Sequence, residues 1–135
     1  MTYEKLIEAA ITAREKAYAP YSGFKVGAAL LAEDGQVYTG CNVENASYSH
    51  TICAERAAVF NAVSAGARNF KAIAIVSEGE IPASPCGGCR QVLAEFSPGM
   101  RVLMANTKGQ VVASTVRELL PLHFDANFLK GGPNA

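Results

Sequence analysis

The sequence predicts an α/β protein, a three-layer α/β/α arrangement around a mixed five-stranded sheet. Three observations carry this. Helical periodicity alternates with strand-like apolar runs, in the order helix, two strands, helix, strand, helix, strand, strand, helix. The run at 71–77 is almost continuously apolar, as a strand covered on both faces requires. Helices cross over between some strands, which makes part of the sheet parallel, while short turns join others as hairpins.

Leu6, Ala10, Ala13 and Ala17 recur at helical spacing behind Thr2, a suitable cap, and Pro20 stops the run at about Tyr18. Ala19-Pro20-Tyr21-Ser22-Gly23 is a loop by its turn residues. Segments 26–31 and 36–41 read as strands either side of Glu33-Asp34-Gly35, a hairpin turn. The polar, irregular stretch 42–50 is a surface loop. Residues 53–65 are strong helix formers without a breaker, and Gly66 is a good C-terminal cap. After the strand at 71–77 and a Pro-rich loop, 87–96 reads as a helix. Segments 101–106 and 110–114 are strands turned at Lys108-Gly109. Thr115 with Glu118 forms a capping box that opens a short helix ended by Pro121.

The 135 residues suit one domain, 1–135, with a frayed tail from about residue 130. Half the residues are hydrophobic, enough for a core, and 12 basic residues balance 12 acidic ones. That balance argues against a nucleic acid polymer as partner, since such binding needs clustered Lys and Arg. No segment reaches the ~18 apolar residues of a membrane span. The amino terminus carries Glu4, Lys5, Glu8, Arg14 and Glu15, so it cannot form a signal-peptide core. A cytoplasmic protein is expected, and reduced cysteines there favour metal or redox chemistry over crosslinks.

The chemistry concentrates in Cys53-Ala54-Glu55 and Pro85-Cys86-Gly87-Gly88-Cys89. Cys53, Cys86 and Cys89 can hold one zinc ion, and three protein ligands leave a fourth tetrahedral position for water. Glu55 stands close enough to move protons on that water without ligating. Both segments start helices, where partial positive charge favours thiolates. Three thiolates make the site electron-rich, so a cation must offset them. Arg56 and Arg90 are available, and Arg56 is the candidate donor to a cysteine sulfur, against a plain solvent-facing ion pair for either. A closed structural site would need His50 or Cys41 as fourth ligand. His50 lies in a polar loop, and Cys41 suits packing as a small hydrophobe. A thioredoxin-like dithiol would leave Cys53 and Glu55 without roles.

With these residues in hand, the chain resembles the cytidine deaminases of the small, three-cysteine, homotetrameric type, within the cytidine and deoxycytidylate deaminase family. The likeness runs from the first helix to about Phe124. It rests on Ala19-Pro20-Tyr21-Ser22, Cys41-Asn42-Val43-Glu44-Asn45-Ala46, Cys53-Ala54-Glu55-Arg56 and Pro85-Cys86-Gly87-Gly88-Cys89-Arg90-Gln91. The resemblance implies one Zn²⁺ per subunit on Cys53, Cys86 and Cys89, with Glu55 as the proton shuttle. Phe24 would stack on the pyrimidine, Asn42 and Glu44 would bind ribose hydroxyls, and backbone near Ala54 and Cys86 would fix the base edge. Alternate spacing puts Asn42 and Glu44 on one side of an extended segment. Ala46, Tyr48 and Phe124 would enter pockets of neighbouring subunits, with Phe128 as an alternative lid. The implied reaction is hydrolytic deamination of cytidine and 2′-deoxycytidine to the uridine counterparts and ammonia, in pyrimidine salvage. A deaminase of another cytosine-bearing small molecule would share the metal site and change the ribose loop. A polynucleotide-editing deaminase needs a basic groove. A non-enzymatic zinc-stabilised interaction module would leave Glu55 and Phe24 idle.

Overall fold

A computed structural model describes residues 1–129; the expected frayed tail from residue 130 lies outside them. The strands are β1 (Gly27–Ala32), β2 (Val37–Cys41), β3 (Phe70–Ser77), β4 (Arg101–Asn106) and β5 (Val111–Thr115). They form one sheet in the order β2-β1-β3-β4-β5. β3 and β4 pair in parallel, with Ala72 opposite Arg101, whereas β1–β2, β1–β3 and β4–β5 are antiparallel. The mixed sheet follows from the connections. Short turns close the β1–β2 and β4–β5 hairpins, and a helix carries the chain from β3 across to β4.

The helices are α1 (Tyr3–Arg14), α2 (Ala54–Ser64), α3 (Gly87–Phe96), α4 (Val116–Leu119) and α5 (Ala126–Leu129). They cover the sheet unequally. On one face Leu6 and Ala10 of α1 pack on Ala29, Leu31, Ala72, Ala74 and Val76. On the other, Ala54, Ala58, Val59 and Ala62 of α2 and Leu93 and Ala94 of α3 pack on Leu30, Ile73, Ile75, Val102 and Met104. Strand residues thus alternate between two cores, which is why β1 and β3 read as continuous apolar runs. The expected three layers are present.

Local signals set most boundaries. Thr2 Oγ1 accepts from Lys5 N at 3.1 Å and opens α1. Gly66, at φ 100°, takes the left-handed position that ends α2. Thr115 Oγ1 accepts from Glu118 N at 3.2 Å at the start of α4. α1, however, stops at Arg14 and not near Tyr18. There a long-range pairing overrides helical spacing. Tyr18 N donates to Asn42 O at 3.0 Å and Tyr18 O accepts from Glu44 N at 2.8 Å, so residues 15–18 leave the helix to meet the segment after β2.

Close backbone approach decides where α2 sits. A Cβ at Gly40 of β2 would lie 2.4 Å from Ala58 N and 2.6 Å from Ala54 O. Only a residue without a side chain lets α2 lie this near the sheet edge, and the start of α2 carries the candidate chemistry.

Candidate metal centre and substrate cavity

The starts of α2 and α3 converge. Cys53 is the N-cap residue of α2 with extended backbone, and Cys86 holds the same place on α3. Cys89 falls in the first turn of α3 and is buried, whereas Cys86 is exposed. The three sulfurs all lie within 4.8 Å of one another, with Cys86 and Cys89 Sγ 3.4 Å apart. A tetrahedral zinc with Zn–S bonds of 2.3 Å would space its sulfurs about 3.8 Å apart. The donor set therefore fits zinc in chemistry and spacing. Among the described residues this is the one cluster of three or more ligand-type side chains that converges this way.

Among the described residues no fourth protein ligand is at hand. His50 sits in a 3-10 turn (Tyr48–His50), and its Nδ1 pairs with Ser47 Oγ at 2.7 Å. Residues 51 and 52 are extended, and Ile52 pairs with Val43, so His50 does not continue the face of α2. Cys41 closes β2 and is not part of the cluster.

The electrostatics are unequal across the trio. Hydrogen bonding from Cys89, opposed by burial and reinforced by Arg56, brings the Cys53 thiol down to about 5. The same contact, with burial, pushes Cys89 up. The shared contact favours a single negative charge on the Cys53–Cys89 pair. A bound cation would displace the protons that remain on the trio. Arg56 Nη2 donates to Cys53 Sγ at 3.2 Å, and its Nε is buried without a partner. The guanidinium is committed to the sulfur side of the site. Arg90 is neither a sulfur partner nor a solvent-facing ion pair. It donates to Pro85 O at 2.8 Å, Leu119 O at 2.7 Å and Ser84 Oγ at 2.7 Å. Arg90 thereby pins the loop that delivers Cys86 to the end of α4.

Glu55 follows Cys53 by two residues and is 6% exposed. Burial raises its carboxyl above the ordinary value of 4.5, and the neighbouring Cys53 charge adds to this. A buried carboxyl beside a set of metal-ligand side chains has the environment of a proton carrier.

A cavity of about 290 Å³ opens beside the cluster. Phe24, Asn42, Glu44 and Ala54 line it together with Cys53, Glu55 and Cys86. Its volume lies at the small end of ligand clefts and suits a compact molecule. Asn42 and Glu44 share its wall, but much of their hydrogen-bonding capacity is already used. Asn42 Oδ1 accepts from Val26 N at 2.9 Å and Nδ2 donates to Phe24 O at 2.7 Å. Glu44 Oε1 accepts from Tyr21 N at 2.9 Å and Ser22 N at 3.0 Å, and Oε2 accepts from Ser22 Oγ. The Ser22 hydroxyl, with these amides, holds the Glu44 carboxyl below its ordinary 4.5.

Ala46, Tyr48 and Phe124 lie apart from this cavity. Ala46 is exposed. Tyr48 is 74% exposed, meets Tyr21 edge-on and lines a neighbouring groove that shares Ser22, Glu44 and Thr51 with the cavity. Phe124 is exposed and stacks on Phe128 at 5.6 Å, so the two aromatic lid candidates form one pair. Sequence reading missed Ser22, Thr51 and Ser84 as cavity residues. The turn chemistry around Ser22 and Ser84 was visible, but the partner of Ser22, Glu44, lies 22 residues away.

Comparison with known proteins agrees with this geometry. Residues 1–105 match the family profile described as the cytidine and deoxycytidylate deaminase zinc-binding region. A cytidine deaminase of Sporosarcina psychrophila is 60% identical over 122 residues, 90% of this chain and 90% of the relative. The crystal structure of cytidine deaminase from Burkholderia pseudomallei superposes with a TM-score of 0.90 at 55% identity, covering 92% of this chain and all of that one (100%). The cytidine deaminase structure from Mycobacterium tuberculosis gives a TM-score of 0.79 at 41% identity, over 92% of this chain and 98% of that one.

Proposed function

The chain belongs to the cytidine and deoxycytidylate deaminase family, and from that premise we propose that it is a zinc-dependent cytidine deaminase. It converts cytidine and 2′-deoxycytidine by hydrolysis to uridine and 2′-deoxyuridine, with release of ammonia. The observation that carries this reading is the meeting of three convergent sulfurs, a buried glutamate and a half-exposed phenylalanine around one small cavity.

Cys53, Cys86 and Cys89 hold the zinc. When bound, zinc supplies the Lewis acidity that lets water act as a nucleophile at neutral pH. Arg56 offsets the thiolate charge through its bond to Cys53 Sγ. Glu55 takes a proton from the attacking water and delivers it to ring N3, which makes C4 electrophilic. After attack at C4 it takes the remaining hydroxyl proton and hands it to the amine, so that the C4–N bond breaks, ammonia leaves and the C4 carbonyl forms. Burial raises the Glu55 carboxyl above the ordinary value, which favours its carrying a proton between steps. The Phe24 ring stacks on the pyrimidine, and such stacking is worth about 1–3 kcal/mol per base in nucleic-acid systems. Backbone at Ala54 and Cys86 fixes the base edge. Asn42 and Glu44 hold the sugar with the hydrogen-bonding positions that the Tyr21–Phe24 loop leaves free.

The assembly is a homotetramer with shared active sites. Ala46, Tyr48 and Phe124 serve neighbouring pockets, and their exposure in a single chain supports this. The substrate is a free nucleoside, since the charge balance offers no track for a polymer. We place the protein in the cytoplasm, in pyrimidine salvage, where its four free cysteines stay reduced. Among the described residues no helix is long and apolar enough to cross a membrane.

The test is direct. Zinc-loaded protein is incubated with cytidine while the ultraviolet spectrum is followed to that of uridine. Chelation should stop the conversion and zinc should restore it, and light scattering should give four chains per particle. A zinc-loaded protein that leaves cytidine unchanged refutes the assignment.

A further inference from the structure

We propose that Ser22 is a positioning residue for nucleoside binding, linking the Glu44 carboxylate to the backbone of Phe24 so that sugar-binding and base-stacking groups are set as one unit. The proposal rests on the reading above that Glu44 meets the sugar and Phe24 the base.

Three hydrogen bonds define the link. Phe24 N donates to Ser22 Oγ at 3.0 Å, and Ser22 Oγ in turn donates to Glu44 Oε2. Ser22 N also donates to Glu44 Oε1 at 3.0 Å. The hydroxyl is thus acceptor for one functional residue and donor to the other, which uses both capacities of a serine. The arrangement matters because Phe24 is 43% exposed. A ring held in the core is oriented by packing on every side. A half-exposed ring takes its direction largely from its backbone, and here the backbone is gripped at both ends. Ser22 holds the amide, and Asn42 Nδ2 holds the carbonyl at 2.7 Å.

The bond to Ser22 also decides what Glu44 can offer a ligand. A carboxylate has about four acceptor positions. Two on Oε1 are taken by Tyr21 N and Ser22 N, and one on Oε2 by the Ser22 hydroxyl. Without the hydroxyl, the carboxylate loses the contact that fixes Oε2 and can rotate toward solvent in the adjoining groove, which Glu44 and Ser22 also line. Ser22 is itself exposed and contributes little packing, so its removal changes this network more than the fold.

The experiment is a double-mutant cycle on the full zinc-loaded protein, with cytidine as substrate. Ser22→Ala is expected to raise KM about five- to tenfold with kcat held within about twofold, as loss of a bond to a charged group that acts on binding. Ser22→Thr, which keeps the hydroxyl, should restore KM. In a Glu44→Ala background, Ser22→Ala should cost clearly less than in wild type, because only the contact with the Phe24 amide remains to be lost. An unchanged KM in Ser22→Ala overturns the proposal. So does an equal penalty in both backgrounds, or a fall in kcat and melting temperature that threonine does not repair. Should Ser22→Ala fail to fold, Ser22→Gly carries the same expectation; failure of both while Ser22→Thr folds assigns the hydroxyl to stability and also overturns it. Wild-type protein inactive on cytidine identifies failure of the deaminase reading itself, which removes the proposal's premise.

Discussion

Replacing Gly40 by alanine tests how tightly the sheet edge sets the position of the catalytic helix. The new Cβ would lie 2.4 Å from Ala58 N, 2.6 Å from Ala54 O and 2.9 Å from Ala57 C. All three are main-chain atoms of α2, so no side-chain rotation relieves the overlap. Restoring ordinary contact at 3.4 Å moves the helix away by about 1 Å. Two effects oppose each other. Alanine restricts the unfolded chain and stabilises by about 0.4–1 kcal/mol, whereas overpacking costs about 1–3 kcal/mol. Because backbone must move, the cost should reach the upper part of that range, leaving a net loss of about 1–2 kcal/mol. For a chain of this size that lowers the melting temperature by roughly 3–10 °C. Activity should suffer more. Cys53 and Glu55 ride on the start of α2, and a displacement of about 1 Å can cost on the order of 10²-fold in rate. Thermal melts and cytidine kinetics read both effects. Gly99→Ala is the control, since its Cβ meets only Arg117 Nη1 at 3.8 Å. A Gly40→Ala protein that melts at or above wild type and keeps its kcat/KM would refute the reasoning.

Glu55→Gln should retain zinc by elemental analysis yet lose about 10²–10⁴-fold or more in kcat. In the metal-stripped protein it should also melt higher than wild type at pH 7. Burial raises the Glu55 pKa, so its folding penalty is absent below the ordinary 4.5 and sets in as pH rises through the folded value. The gap between the two proteins should therefore close on acidification, and a gap that widens contradicts the sign. Arg56→Ala removes the donor to Cys53 Sγ and should weaken zinc retention about 10–100-fold in chelator competition; unchanged retention and turnover would show that the guanidinium does not balance the thiolates. Arg90→Ala breaks contacts to Pro85, Leu119 and Ser84. It should lower stability by about 2–3 kcal/mol and speed zinc loss to a chelator, with equal stability and release rates as the refuting result.

What the sequence revealed follows the reach of each signal. The bounds of α3 and β4 agree with the sequence reading residue for residue. Each is bracketed by local punctuation, Pro85-Cys86 before α3 and Pro98-Gly99 before β4. The parallel β3–β4 pair was legible because a helical segment separates two apolar runs. The end of α1 was not, because the competing partners of Tyr18 lie beyond β2. α5 has four residues and no periodicity to read. The same division holds in the site. Cys53, Glu55, Cys86 and Cys89 stood out through short spacings at helix starts. Ser22 did not, for its partner Glu44 lies 22 residues away, and Arg90 stood out only as a possible charge partner, its contact with Leu119 lying 29 residues away. Only the folded chain displays such pairings.

The cysteines stand on two helices with β3 threaded between them. An ion gripping all three rivets together stretches of chain that otherwise adhere to the sheet separately. Structural zinc sites bind with apparent free energies of about 10–16 kcal/mol, as large as the whole stability of a typical domain at about 5–15 kcal/mol. The reagent of the reaction is then also a fastener of the architecture. A cell starved of zinc would hold fewer copies of this protein and not an idle stock of it, since an unriveted chain spends longer open to proteases.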